Sequence, residues 1–198
     1  MYGMQKIWGE YYYLDPDTGA RYEGWLDIDG KRCYFKSDTG AMLHGWQRIW
    51  MAEEERHEEY YFKSDTGAMM YGLQRIWGEY YYLDPDTGAR YEGWLDLDGK
   101  RYYFKSDTGA RLTGWQRIYG EYYYFKSDTA ALMYGLQKIY GNYYYLDPDT
   151  GARYEGWLDL DGKRYYFKSD TGVRLTGWQR IYGEEYYFDS ETGECLTC

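Results

Sequence analysis

The chain has 198 residues and a formal net charge of −10. Leu, Ile, Val and Phe supply only 29 positions, a level that with this charge normally means disorder, but 30 Tyr and nine Trp stand in for them. Each such ring buries apolar area while its OH or NH still reaches a polar partner, so the chain can order itself around aromatics. The acidic balance argues against a nucleic-acid partner, whose phosphates demand clustered Lys and Arg. No apolar run approaches the length of a membrane span.

The chain opens on an apolar stretch that includes Met1, Tyr2 and Met4 and has no signal-peptide core. From there a short unit recurs. Its reference position is the residue after a recurrent Gly: Met4, Trp25, Trp46, Leu73, Trp94, Trp115, Leu136, Trp157 and Trp178. The units read as 1–21, 22–42, 43–69, 70–90, 91–111, 112–132, 133–153, 154–174 and 175–198, all within one repeat domain, 1–198. Most steps are 21 residues, and the third unit carries six extra. A 63-residue period lies above this, because the stretch from Met70 returns almost unchanged from Met133 and nearly so from Met1.

Each unit reads as a β-hairpin. In the fifth, Gly93–Phe104, two short runs flank Asp98-Gly99, a favoured two-residue turn. Linkers such as Asp84-Pro-Asp-Thr-Gly88 supply turn formers. With Asp98-Gly99 as the turn, Trp94 faces Tyr103 and Leu95 faces Tyr102. Strand alternation puts Leu97, Tyr102 and Phe104 on a core face, and Trp94, Arg101 and Tyr103 on an outer groove. One hairpin cannot bury its own face, whereas stacked hairpins can. The expected fold is therefore all-β: a β-solenoid of nine tandem β-hairpins, three per turn, in about three turns.

The insertion, within Met51–Glu59, predicts a charged hairpin extension with room for a short helix and for a docking partner. The Asp-x-Asp-Gly runs read as turns rather than calcium loops, since the remaining oxygen ligands are missing. Cys195 and Cys198 predict a terminal disulfide or free thiols rather than a zinc site, and Cys33 falls at an inward position. His44 and His57 recur nowhere else, and no nucleophile or carboxylate arrangement stands out. The expectation is a non-enzymatic chain with no cofactor and no metal.

The pattern Gly-Trp-x4-Gly-Lys-x-Tyr-Tyr-Phe-x-x-x-Thr-Gly-x-x-x-x-Gly-Trp, seen from Gly93 to Trp115, resembles the bacterial cell-wall-binding repeat. That superfamily includes choline-binding modules, glucan-binding repeats and clostridial toxin repeats. The resemblance implies a left-handed β-solenoid with ligands in grooves between hairpins, and a bacterial cell-surface or secreted setting. It also implies a half-cage built from a reference Trp, an aromatic seven residues later and a ring of the next hairpin. Trp115 with Tyr122 fits this, with Tyr143 or Tyr145 closing the site. Elsewhere Arg101 and Arg164 follow Trp94 and Trp157, and Glu185 follows Trp178. A guanidinium opposes a quaternary ammonium but hydrogen-bonds sugar hydroxyls.

The leading expectation is therefore a carbohydrate- or cell-wall-binding module. Trp94, Trp115, Trp157 and Trp178 would line its grooves, and choline would be confined to Trp115 and Tyr122. A solenoid scaffold without small ligand, natural or engineered, is the alternative. The expected partners are a saccharide or cell-wall polymer, choline in second place, and a second copy docked end to end through the open terminal hairpins.

Overall fold

A computed structural model describes residues 2–198; Met1, part of the apolar start, lies outside them. The described residues form nine antiparallel hairpins and no helix. Hairpins 1 to 9 span 3–14, 24–35, 45–62, 72–83, 93–104, 114–125, 135–146, 156–167 and 177–188. Each is its own two-stranded sheet. In hairpin 8, Trp157 faces Tyr166 and Leu158 faces Tyr165, the register that turn chemistry sets. Asp161 and Gly162 both have positive φ, as a type I′ turn requires.

The chain divides into two compact units, Met1–Gly93 with Phe104–Arg111, and Trp94–Tyr103 with Leu112–Cys198. The same construction recurs inside each. The second strand of hairpins 2 to 9 ends on a Phe or Leu that is fully buried, such as Phe62, Leu83, Phe125 and Leu146. Three residues after the reference position, Ile49, Ile76, Ile118, Ile139 and Ile181 are buried too. This is the expected core face.

The other face is not an open groove, which corrects the sequence reading. Tyr103, Tyr124 and Tyr166 are buried, and each lies edge-on to the reference Trp across its own hairpin. That Trp in turn meets a ring of the following hairpin: Trp94 lies 5.0 Å from Tyr123, and Trp157 lies 5.0 Å from Tyr186. A two-stranded sheet has too little area to bury one face alone, so both faces are used, one inward and one against the neighbour.

Backbone hydrogen bonds fix the step between hairpins. From the second linker onward, the residue after the linker turn donates its N–H to a carbonyl one hairpin further back than the hairpin it follows: Met42 to Tyr11, Arg90 to Glu59, Arg153 to Tyr122 and Arg174 to Tyr143, all at 2.7–2.8 Å. Its side chain then lies under the Gly of the next linker. Gly151, at φ +78°, would place a Cβ 2.7 Å from Leu132 Cδ2, so both conformation and space demand Gly there. The four linkers that open on Asp are held by its carboxylate. Asp147 accepts the Thr150 N–H at 2.8 Å and the Thr150 hydroxyl at 2.8 Å, and Asp84 does the same with Thr87.

The insertion forms the expected hairpin extension, without the short helix for which it had room. It extends hairpin 3 to strands Gly45–Met51 and Arg56–Phe62, with Arg56 paired to Glu58. Cross-strand pairing continues to Met51 and Arg56, and the backbone bonds it satisfies favour strand over a single helical turn. Cys33 is buried, and burial pushes its thiol pKa up. Cys195 and Cys198 are joined in a disulfide.

Two measurements check this construction. Gly151→Ala adds left-handed strain and overpacking against Leu132 and is expected to cost about 2–4 kcal/mol. Gly162→Ala, whose Cβ meets nothing within 4 Å, should cost only the strain, about 1–2 kcal/mol. Equal urea midpoints for the two variants would contradict the packing role. Hydrogen bonds from the Thr150 backbone and side chain hold the Asp147 carboxyl below its ordinary 3.8. That stabilisation is full above the unfolded value of 3.8 and disappears as pH falls through the lower folded value. The stability difference between wild type and Asp147→Ala should therefore shrink as pH falls from 5 towards 2, read from urea midpoints across that range.

Candidate aromatic site

Two clusters of rings share one geometry, one in each compact unit. In the first, Trp46 of hairpin 3 lies 5.2 Å from Tyr61 and 4.9 Å from Tyr81 of hairpin 4, and Trp77 stands 6.2 Å from Tyr61. In the second, Trp115 of hairpin 6 lies 5.1 Å from Tyr124 and 4.9 Å from Tyr144 of hairpin 7, and Tyr140 stands 6.2 Å from Tyr124. Every pair is steeply tilted or edge-on, with interplanar angles of 62–85°. Such rings form walls rather than a stack, and their negative faces can converge on one ligand.

The outer wall comes from an unusual turn. Trp77 and Tyr140 occupy the first turn position at φ 52° and 49°, each followed by a Gly of positive φ. Asp or Asn adopts that conformation readily, whereas a bulky ring there is an outlier. Both rings project into solvent, 79% and 78% exposed. Trp8, Tyr119 and Tyr182 hold the same strained, exposed position, and Trp77 and Tyr140 differ from them in standing 6.2 Å from a Tyr that packs on a reference Trp with no guanidinium over it. Burial, followed by a hydrogen bond with Tyr140, pushes the Tyr124 hydroxyl pKa up, so it stays neutral at physiological pH.

The reference Trp residues fall into two chemical kinds. Trp25, Trp94 and Trp157 each carry a guanidinium over the ring: Arg32 at 5.1 Å, Arg101 at 6.0 Å and Arg164 at 4.7 Å. Arg101 is fixed there by paired bonds to Asp96 of 2.8 and 2.9 Å. These rings already hold a cation of their own. Trp46 and Trp115 carry none among the described residues.

The sequence-predicted residues are thus distributed unevenly. Trp115 belongs to an aromatic cluster, but the rings beside it are Tyr124, Tyr144 and Tyr140. Tyr122 and Tyr143 lie under other guanidiniums, Arg153 at 4.3 Å and Arg174 at 4.2 Å. Those are the arginines whose N–H groups bind the same tyrosines' carbonyls, so each contact pins one hairpin to the next. Tyr145 packs against Tyr154 and Phe167 at 6.0 and 6.1 Å. Trp94 with Arg101 and Trp157 with Arg164 form the ring–guanidinium pairs. Among the described residues the Trp178 ring pairs with that of Tyr187 in its own hairpin, at 5.2 Å, and is 67% exposed.

Trp46, Tyr61, Trp77, Tyr124 and Tyr140 escaped the sequence reading. Two signals mark them. Register places the residue nine positions after the reference Trp, not seven, directly opposite it. And Trp77-Gly78 and Tyr140-Gly141 put a ring where hairpins 2, 5 and 8 have Asp, as Trp8, Tyr119 and Tyr182 also do, but only these two follow a hairpin whose reference Trp has no Arg seven residues after it.

Comparison with known proteins fits this geometry. The family described as choline-binding repeat matches residues 112–156 and 154–197, and the one described as putative cell wall binding repeat matches 92–107. No curated protein sequence matches the chain. Among solved structures, that of CbpF in complex with ipratropium is similar with a TM-score of 0.78 at 24% identity, over 99% of this chain and 72% of that one. CbpJ from Streptococcus pneumoniae is similar with a TM-score of 0.62 at 25% identity, over 100% and 88%. The choline-binding domain of CbpL from Streptococcus pneumoniae gives 0.61 at 28%, over 100% and 98%. Repeat, hairpin fold and aromatic clusters agree: the chain is a non-catalytic binding module with a β-solenoid fold, and it belongs to the cell-wall-binding repeat superfamily.

Proposed function

We propose that the module holds quaternary ammonium groups of the choline type, carried on a bacterial cell-wall polymer, in the pockets at Trp46 and Trp115. The observation that carries this is the contrast among the reference Trp rings. Three are covered by the chain's own Arg, while these two stand uncovered, each with two neighbouring rings and an exposed outer wall beyond one of them. A quaternary ammonium has no N–H to satisfy and gains about 0.5–2 kcal/mol from each such contact. Choline therefore ranks above sugar at these pockets, the reverse of the order the sequence suggests. Trp94 and Trp157 are covered by Arg and packed against the next hairpin, which leaves little ring face for a saccharide. Such a ligand fits a surface setting for the module.

Trp178 supports a second reading. Its exposed ring has no guanidinium over it, and an exposed flat ring suits the apolar face of a sugar. The same ring is available to a second copy docked end to end.

Each pocket is shallow, so affinity per site is expected near 1 mM, with useful binding arising from several sites on one polymer. Titration with choline, followed by Trp fluorescence and calorimetry, should give two sites. Trp115→Ala and Trp46→Ala should each remove one, and Trp25→Ala should remove none. The uncharged isostere 3,3-dimethylbutanol should bind at least tenfold more weakly, about 1.4 kcal/mol. Equal binding of the two compounds, or saturation by oligosaccharide alone, would reject the reading. For association, light scattering over a dilution series should show a dimer at high concentration that Trp178→Ala abolishes; monomer throughout rejects it.

A further inference from the structure

The insertion in hairpin 3 lines one side of a cavity of about 810 Å³ inside the first compact unit. Trp25 and Arg32 of hairpin 2 form another wall, and the linker from Asp84 to Glu92 forms a third. That volume lies within the range of small-ligand sites.

Two guanidiniums facing this cavity have lost the partners their counterparts keep. Two residues after the reference position, Arg75, Arg117 and Arg180 donate Nε–H to the turn glycine's carbonyl: to Gly78 at 3.3 Å, Gly120 at 3.1 Å and Gly183 at 3.1 Å. Arg48 is their equivalent. The six extra residues carry the turn of hairpin 3 away, and Arg48 makes neither that bond nor an ion pair among the described residues. Arg32 is the equivalent of Arg101 and Arg164, which reach Asp96 at 2.8 Å and Asp159 at 3.5 Å. Arg32 lies over Trp25 as they lie over Trp94 and Trp157, but it reaches no carboxylate among the described residues.

The carboxylates divide the same way. Glu58 is occupied by Arg56 and by the Tyr60 hydroxyl, which donates to it at 2.7 Å. Glu59 and Glu92 are occupied by Arg90. Asp84 accepts from Thr87 in its own turn. Glu54 and Asp86 also line the cavity, and neither carboxylate has a partner among the described residues. One cavity thus presents two unmatched cations and two unmatched anions. A simple anion would meet the carboxylates, and a simple cation the guanidiniums.

From this pairing pattern we infer that the insertion builds a second site, distinct from the aromatic pockets, for a small zwitterion: a short peptide with free amino and carboxyl ends. The carboxylate docks on Arg48 and Arg32, whose planar forks suit it. The ammonium turns towards Glu54 and Asp86. Met51 and Trp25 supply apolar contact between the two ends.

Calorimetry with three probes tests this: trialanine, trialanine amide and N-acetyl-trialanine. Trialanine should bind, and blocking either end should weaken binding about tenfold, the effect of one lost charged hydrogen bond. Arg48→Gln leaves no buried partner unsatisfied, so its urea midpoint should match wild type. It should bind trialanine and its amide equally weakly, while Glu54→Gln abolishes the distinction between free and acetylated peptide. Choline binding should be unchanged in both variants, so this site and the aromatic pockets succeed or fail separately. No binding of trialanine at millimolar concentration, equal binding of all three probes, or an undiminished response in Arg48→Gln overturns the proposal.

Discussion

A lone two-stranded hairpin is barely stable in water, and this chain makes nine of them without ever pairing two into a wider sheet. What converts them into a fold is one backbone N–H per linker from the second onward, donated back past the hairpin it leaves to a carbonyl of the hairpin before. That bond sets the step, and the side chain beside it is then trapped beneath the next linker's Gly. Where this residue is Arg and the carbonyl belongs to a Tyr, its guanidinium lies on that ring, as Arg153 does on Tyr122, and Arg90 likewise ion-pairs Glu59, whose carbonyl it binds. Backbone and side chain therefore enforce the same step, and an aromatic core poor in aliphatics can pack uniquely.

The division of chemistry among the rings follows from that step. A ring close to the linker is needed for docking and receives a guanidinium from the next turn of the chain. A reference Trp is free for a ligand only where no Arg comes across its hairpin. A large ring then stands at the next hairpin's turn, in a conformation that disfavours it. Cost and exposure coincide at Trp77 and Tyr140 as they do at Trp8, Tyr119 and Tyr182, and it is the uncovered reference Trp of the hairpin before that sets the first two apart.

Much of the fold was legible in the sequence because hairpin turns carry strong local chemistry. Asp98-Gly99 and Asp161-Gly162 fix where each chain reversal falls, and the strict spacing fixes the unit count. The two faces were less legible. Alternation separates Trp94 and Tyr103 from Leu97 and Phe104, but it does not say that a neighbouring hairpin covers the second set. For the same reason Tyr122 looked like a cage wall, since its capping Arg153 lies 31 residues away and only three-dimensional stacking brings the two together. The insertion was legible as a hairpin extension but not as a cavity wall, because what it changes is the loss of a bond at Arg48.

The placement of the two aromatic pockets has an arithmetic of its own. Each takes its Trp from the last hairpin of one triplet and its outer wall from the first hairpin of the next: Trp46 with Trp77, and Trp115 with Tyr140. The pockets are seams between triplets, not properties of single repeats. Gain or loss of a whole triplet changes the number of seams by one and leaves every surviving one intact. Gain or loss of a single hairpin would instead set mismatched partners against each other. Duplication in threes is thus the growth increment that raises valency for a polymer without redesigning any pocket.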